Sequence, residues 1–406
     1  MNLKHFNFNE GVLHSEDTNL LELSDSLETP FYVYSAETIR ENCRSYKAGL
    51  SSSDLACYAV KANSNLSSLS LNKDEGLGFD VGSGGELKRV LKIGADPKKI
   101  VFSGVGKSKE ELRLACDHGI FSINVESEYE LELLEQLNKK PRISFRINPD
   151  IAAESHPYIE TGKADCKFGI SEEEALSLAK KYGTEKINLV GVSAHIGSQI
   201  INTDLLVEAY EKLENLADQL VSLGFEIDHI DVGGGLAIDY ELEKNFSPDE
   251  LIKKLKKFSS KYNLTLEPGR SIVAQAGVLI TKVLGIKENG SQKFLIVDAG
   301  MNDLMRPSLY SARHKIENLV ESSEKKDLYS VVGPVCETAD SFGSDFEVSA
   351  NAGDYLVVYS AGAYGSSMGS NYNTRLKPAE ILVDQKSHKV IRKAETFDDL
   401  IKEEEL

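Results

Sequence analysis

The stretch Leu55-Ala56-Cys57-Tyr58-Ala59-Val60-Lys61-Ala62-Asn63-Ser64-Asn65 decides how the chain is to be read. Leu55 to Ala59 form a short apolar run, the mark of a buried strand. Asn63-Ser64-Asn65 then reads as a turn or helix cap. A strand therefore delivers one ammonium group, that of Lys61, at its C-terminal end. Taken alone, such a lysine is ordinary: it snorkels to the surface or pairs with a carboxylate. Its companions must decide whether it does chemistry.

Outward from this strand the same kind of run recurs at 77–81, 100–103, 120–125, 142–147, 189–194, 229–232 and 263–266. Segments with helical spacing lie between the runs. Ser64 precedes Leu66 and Leu69, and Gly84-Gly85-Glu86 precedes Leu87 and Val90. Ser108-Lys109-Glu110-Glu111, Ser127-Glu128-Tyr129-Glu130 and Ser171-Glu172-Glu173-Glu174 each match the capping box. A helix from Thr203 to Leu223 stops at Gly224, and Ser247-Pro248 opens another. Short strands alternating with helices predict a parallel sheet, because parallel neighbours need a crossover. Eight such units match the size of a (β/α)8 barrel, ~250 residues. No strand is followed by a G-x-G-x-x-G turn, so an open dinucleotide-binding sheet has no support.

After residue 275 the pattern turns to strands: Val278–Val283, Lys293–Val297, Tyr329–Val332, Tyr355–Tyr359 and Glu380–Val383, with only Ser311–Ser322 reading as helix. The expected fold is an α/β chain, a (β/α)8 barrel over 30–275 followed by a mostly β C-terminal domain. The β domain takes 276–406 together with 1–29, which read as polar and irregular. Phe31–Tyr34 reads as a strand and Ser35 as the cap of the helix after it. The acidic tail from Asp398 reads as an exposed helix.

Composition narrows the function. The chain has 406 residues, 41% apolar content and a formal charge of −18. That charge repels nucleic acid and anionic membrane alike. No apolar run approaches the ~20 residues of a membrane span, and the N-terminus lacks a signal-peptide core. Cys43, Cys57, Cys116, Cys166 and Cys336 form neither a C-x-x-C pair nor an even framework, so reduced thiols, a cytoplasmic setting and no metal site are expected.

In a barrel the chemistry sits where strands end, in the βα loops. Those ends carry Lys61; Asp80 with Gly82-Ser83-Gly84-Gly85; Arg146 and Asn148; His195-Ile196-Gly197-Ser198-Gln199; Asp231-Val232-Gly233-Gly234-Gly235; and Glu267-Pro268-Gly269-Arg270. Gly233, Gly234 and Gly235 let backbone N–H groups approach an anion, and the loops after strands seven and eight are the usual phosphate site. A Schiff-base lysine with a phosphate cradle suggests pyridoxal phosphate, whose ring nitrogen needs a charged partner, here Glu267. A carboxylate tied to Arg270 is the plainer reading of Glu267, and a structural histidine that of His195.

These residues resemble a known family. Tyr58–Asn63, His195–Gln199, Gly233–Gly235 and Glu267–Arg270 are similar to the fold-type III pyridoxal-phosphate decarboxylases, most of all to the diaminopimelate decarboxylases. Supporting stretches are His156–Ile159 with Thr161-Gly162, Lys167–Ile170, Asp298–Asp303 through Arg306-Pro307 and Tyr310, Gly333–Glu337, and Gly362–Gly365 through Ser370–Asn373. Together they cover about residues 30–385 in order. The resemblance implies pyridoxal 5'-phosphate bonded to Lys61, His195 stacked on its ring and Glu267 at the ring nitrogen. It implies that Ser198, Gly233–Gly235 and the backbone of Gly269 and Arg270 hold the phosphate and that Tyr364 touches cofactor and substrate. Arg270, Arg306, Tyr310 and Glu337 would bind the far end of the substrate, and Cys336 would help protonate the product. Cys336 and Glu337 would reach a partner subunit's site, which implies a homodimer. The implied reaction, through an external aldimine, decarboxylates meso-2,6-diaminopimelate at its D-centre to L-lysine and CO2. Decarboxylation of D-lysine, D-ornithine or another diamino acid is the nearest alternative, and a non-catalytic regulatory homologue the remote one. The glycine-rich 80–86 loop departs from the family pattern and is expected to be the more mobile for it.

Overall fold

The computed structural model describes residues 3–151, 166–244, 246–258 and 261–405; the stretch His156–Gly162 lies outside them. Two compact units divide the chain, one of Met1–Glu41, Ile238–Asn245 and Ile272–Leu406, the other of Asn42–Ala237 and Phe246–Ser271.

The second unit is a closed barrel of eight strands. In chain order they are β1 (Leu55–Ala59), β2 (Gly78–Val81), β3 (Ile100–Phe102), β4 (Ser122–Val125), β5 (Arg142–Arg146), β6 (Asn188–Ser193), β7 (His229–Asp231) and β8 (Asn263–Leu266). Each pairs in parallel with the next, and β8 closes on β1 through Thr265 opposite Leu55. The strands are short, three to six residues, and covered on both faces. Polar residues that enter the barrel find one another: Ser144 Oγ lies 2.8 Å from Ser122 Oγ and 2.9 Å from His229 Nε2. Gly191 leaves room for that trio, since a Cβ there would sit 2.7 Å from Ser144 Oγ.

The helices between strands start where serine caps them. Ser83, Ser108 and Ser171 accept the N–H of the third helical residue. At Ser127 the expected box is missing. Its glutamate, Glu130, is buried and used elsewhere, accepting from Glu126 N at 2.6 Å and from Lys107 Nζ at 2.9 Å. Lys107 is buried too and also donates to the carbonyls of Gly104 and Asn124, which satisfies its three protons.

The first unit carries a nine-stranded sheet. Its main path runs Ser341–Val348, Asp327–Val332, Gln292–Val297, Gly277–Asn289, Phe31–Ser35, Ala379–Asp384 and Ser387–Arg392. Tyr355–Val358 also pairs with the long Gly277–Asn289 strand and carries Ile316–Asn318 on its other side. Phe31–Ser35 is buried along its whole length between an antiparallel and a parallel neighbour, so it belongs to this sheet and not with the barrel as a boundary at residue 30 would have it. Residues 238–245, which come after β7, belong to this unit as well.

Two further expectations are corrected. Residues 1–29 are not irregular: Phe6–Asn9, Val12–Ser15 and Thr18–Asn19 form an antiparallel sheet, and Asn19 caps the helix Leu20–Ser26. The helix expected over 311–322 lies instead at Arg306–Tyr310. Ser311, with φ +51°, ends it in the left-handed region, and Ile316 then enters the sheet's core. The tail carries a short helix, Phe397–Ile401, capped by Thr396. No helix among the described residues is long and apolar enough to cross a membrane.

Candidate active site

Lys61 lies in a single 3-10 turn, Val60–Ala62, directly after β1. That turn is pressed against the loop after β8. Ala59 N–H donates to Pro268 O at 2.9 Å, and a Cβ on Gly269 would come within 3.0 Å of Ala59 and 3.2 Å of Ala62. The glycine is there because the two loops touch. Lys61 keeps about half its side chain open (48%), and its Nζ donates to Asp80 Oδ2 at 2.8 Å. Asp80, near the end of β2, is buried.

Glu267 comes directly after β8 and is buried, its Oε1 3.3 Å from Ser103 Oγ. Burial, and then the neighbouring carboxyls of Asp231 and Asp80, push Glu267 well above the ordinary carboxylate range. Burial raises Asp231 as well. Asp231 Oδ2 and Asp80 Oδ1 are buried without a hydrogen-bond partner. The barrel end thus gathers three buried carboxyl groups near one another, one of them paired with Lys61.

His195, after β6, accepts from Gly234 N–H at Nδ1, 3.2 Å away. Burial, then the charges of Lys61 and Arg146, push the imidazole down to about 3. The ring is neutral at physiological pH and carries its proton on Nε2. In the glycine turn, Gly233 N–H serves Asp231 at 2.8 Å and Gly234 serves His195, so Gly235 is the one whose N–H meets no acceptor among the described residues. A Cβ on Gly234 would fall on the Glu267 carbonyl, and one on Gly235 on the Gly197 carbonyl. Buried Arg270 donates to Ser198 Oγ from Nη2 at 2.8 Å and Nε at 3.2 Å, locking the loops after β6 and β8 together. The 80–86 loop is well fastened: Gly82 N–H donates to Glu86, and Gly84 N–H to Glu111, both at 2.6 Å. Arg146 pairs with Glu126 at 2.8 Å.

The other expected residues belong to the sheet unit. Arg306 is buried, with its guanidinium 4.1 Å from the centre of the Tyr240 ring and Nη1 2.7 Å from His314 Nε2. Tyr310 ends the same short helix. Cys336 and Glu337 are exposed; Cys336 N–H donates to Asn373 Oδ1 at 2.6 Å, and Tyr372 Oη is 3.5 Å from Glu337 Oε2. Tyr364 is half-buried at φ +56°.

Residues 36–274 match the pyridoxal binding domain of the pyridoxal-dependent decarboxylases. The diaminopimelate decarboxylase of Aquifex aeolicus is 44% identical to the chain, over 98% of each. The chain belongs to the diaminopimelate decarboxylase family. Among solved structures, diaminopimelate decarboxylase of Helicobacter pylori complexed with L-lysine is 42% identical, with a TM-score of 0.90 over 95% of this chain and 98% of that one. The enzyme from M. jannaschii in co-complex with L-lysine is 36% identical, with a TM-score of 0.93 over 100% of this chain and 98% of that one.

As a member of this family the chain is a pyridoxal-phosphate-dependent decarboxylase. Its site fits that cofactor on its own chemistry. Burial and neighbouring carboxyls disfavour the charged form of Glu267, and a protonated ring nitrogen beside it is a group that would favour that form. Asp80 and Asp231 stand at strand ends in the sequence but received no role from it. Ser103 was not singled out at all. Their part comes from where the side chains point, which residue order does not tell.

Proposed function

We propose that the chain removes the carboxylate from the D-configured carbon of meso-2,6-diaminopimelate, releasing CO2 and L-lysine in lysine biosynthesis. The observation that carries this reading is the convergence of Lys61, neutral His195 and buried Glu267 on one barrel end, in a chain of this family. Pyridoxal 5'-phosphate bound to Lys61 supplies an electron sink for the pair left by the departing carboxylate.

The protein's own residues do the rest. Glu267 would face the ring nitrogen, with Asp231 beside it keeping that corner acidic. His195 would lie flat against the ring and, being uncharged, would not compete for its electrons. Ser198, Gly233–Gly235 and the backbone of Gly269 and Arg270 would hold the phosphate, with the Arg270 side chain bonded to Ser198. Asp80, whose Oδ2 accepts from Lys61 Nζ at 2.8 Å, would hold the lysine as an ammonium whenever it does not bear the cofactor. Arg270, Arg306, Tyr310 and Glu337 would grip the distal amino-acid end and so fix which carboxylate stands ready to leave. Tyr364 would line the site. Cys336 Sγ would give its proton to the substrate carbon and recover one from water.

Cys336 and Glu337 are exposed loop residues, in keeping with a homodimer in which they complete a partner's site. Five free thiols suit a cytoplasmic setting. The decisive assay gives the cofactor-loaded protein meso-diaminopimelate, D-lysine and D-ornithine separately. L-Lysine and CO2 are expected from the first; faster turnover of either D-amino acid would reassign the substrate.

A further inference from the structure

The loop that carries Cys336 and Glu337 is closed by one side chain. Asp340 is buried, and both its oxygens accept backbone protons: Oδ1 from Met301 N–H at 2.7 Å and Oδ2 from Val335 N–H at 2.6 Å. Its backbone shuts the same ring, since Gly333 N–H donates to Asp340 O at 3.2 Å and Asp340 N–H to Glu337 O at 3.0 Å. Gly333 lies so close that a Cβ there would come within 2.6 Å of Oδ1 and 2.7 Å of the carboxyl carbon. Met301 stands in the segment that runs into Arg306. Resting on the reading that Cys336 serves the reaction, we propose that Asp340 is a positioning residue that fastens the Cys336–Glu337 loop to the Met301 segment and so sets where the Cys336 thiol stands in the site it completes.

The chemistry of the side chain makes the claim specific. Two N–H donors on two different oxygens require a carboxylate. An amide offers one accepting oxygen and turns an N–H against the other donor, although its shape is nearly the same. A glutamate has no room, because Gly333 already touches the carboxyl group. Asn373 holds Cys336 N–H from the other side and Ser308 Oγ donates to Ala339 O at 2.6 Å, while Asp340 is the side chain that joins Val335 N–H to Met301 N–H. A loop shifted by about 1 Å costs on the order of a hundredfold in a step that depends on alignment.

The test is a double-mutant cycle on the holoenzyme with meso-diaminopimelate, using Asp340→Asn, Cys336→Ala and the pair, with Gly333→Ala as a second way to displace the same carboxylate. Bound-cofactor absorbance and thermal midpoint are recorded for each. Asp340→Asn and Gly333→Ala are expected to lower kcat by at least about tenfold while the cofactor spectrum is kept. In the Cys336→Ala background the same changes should cost less than about twofold, because the group they position is gone. An equal loss in both backgrounds would make Asp340 merely structural and overturn the proposal. So would wild-type kcat in Asp340→Asn and Gly333→Ala while Cys336→Ala is slow. A wild-type rate in Cys336→Ala itself would instead sink the role given to the thiol, and the positioning claim with it. If Asp340→Asn does not fold, Gly333→Ala decides.

Discussion

His195 is held neutral by what surrounds it. An unfolded histidine titrates near ~6.5; in the barrel, burial first and then the Lys61 and Arg146 charges bring it to about 3. Between those two values the unfolded chain takes up a proton that the folded chain refuses. The stability His195 contributes is therefore complete above ~6.5 and is lost as pH falls towards 3. Imidazole nitrogen NMR of the cofactor-free protein should find His195 uncharged at pH 5, protonated on Nε2, with Nδ1 bonded to Gly234. A titration midpoint near the unfolded value would mean that the ring is solvated and not in this pocket. The sequence made His195, Glu267 and Lys61 visible because each follows an apolar run and stands in a stretch to which the family resemblance gives a role. It could not show that Asp231 leans on Glu267 or that Asp80 holds Lys61, since both depend on side-chain direction across strands far apart in the chain.

Among the elements, two helices that look alike in sequence start differently. Ser108 and Glu111 form the complete reciprocal box, whereas Ser127 makes no side-chain bond because Glu130 has gone to Lys107 and Glu126 N. Ser108→Ala should cost about 1 kcal/mol and Ser127→Ala less than about 0.5 kcal/mol, read from the unfolding midpoints of the two variants. Equal losses would show that Ser127 does cap its helix. Residues 311–322 likewise part from their pattern. Their spacing suits a helix, but Ser311 turns left-handed and His314 Nδ1 meets the Tyr359 carbonyl at 2.8 Å, which commits Ile316–Asn318 to the sheet. All eight barrel strands were legible because a strand covered on both faces stands in a run rich in apolar residues. The edge strands Ser341–Val348 and Ser387–Arg392 were not, since alternating or exposed residues carry no such run.

At the scale of the whole molecule, the expected residues divide between the two compact units. Lys61, His195, Ser198, Gly233–Gly235, Glu267, Gly269 and Arg270 lie in the barrel unit, and Arg306, Tyr310, Cys336, Glu337 and Tyr364 in the sheet unit. If each site of a homodimer draws Cys336 from the other copy, mixing inactive Lys61→Ala with slow Cys336→Ala and letting subunits exchange should restore activity. Random exchange makes half the dimers mixed, each with one intact site, so about a quarter of the wild-type activity is expected when subunits exchange freely. No recovery, with exchange shown by differently tagged chains, would mean that each copy builds its site alone. Both halves of the site depend on Lys61 being the residue that bears the cofactor. Borohydride reduction of the yellow holoenzyme, with digestion and mass spectrometry after it, locates that lysine. One modified peptide is expected, carrying pyridoxyl phosphate on Lys61 and lost in Lys61→Ala; the label on any other lysine, or reducible colour that survives Lys61→Ala, would contradict the assignment.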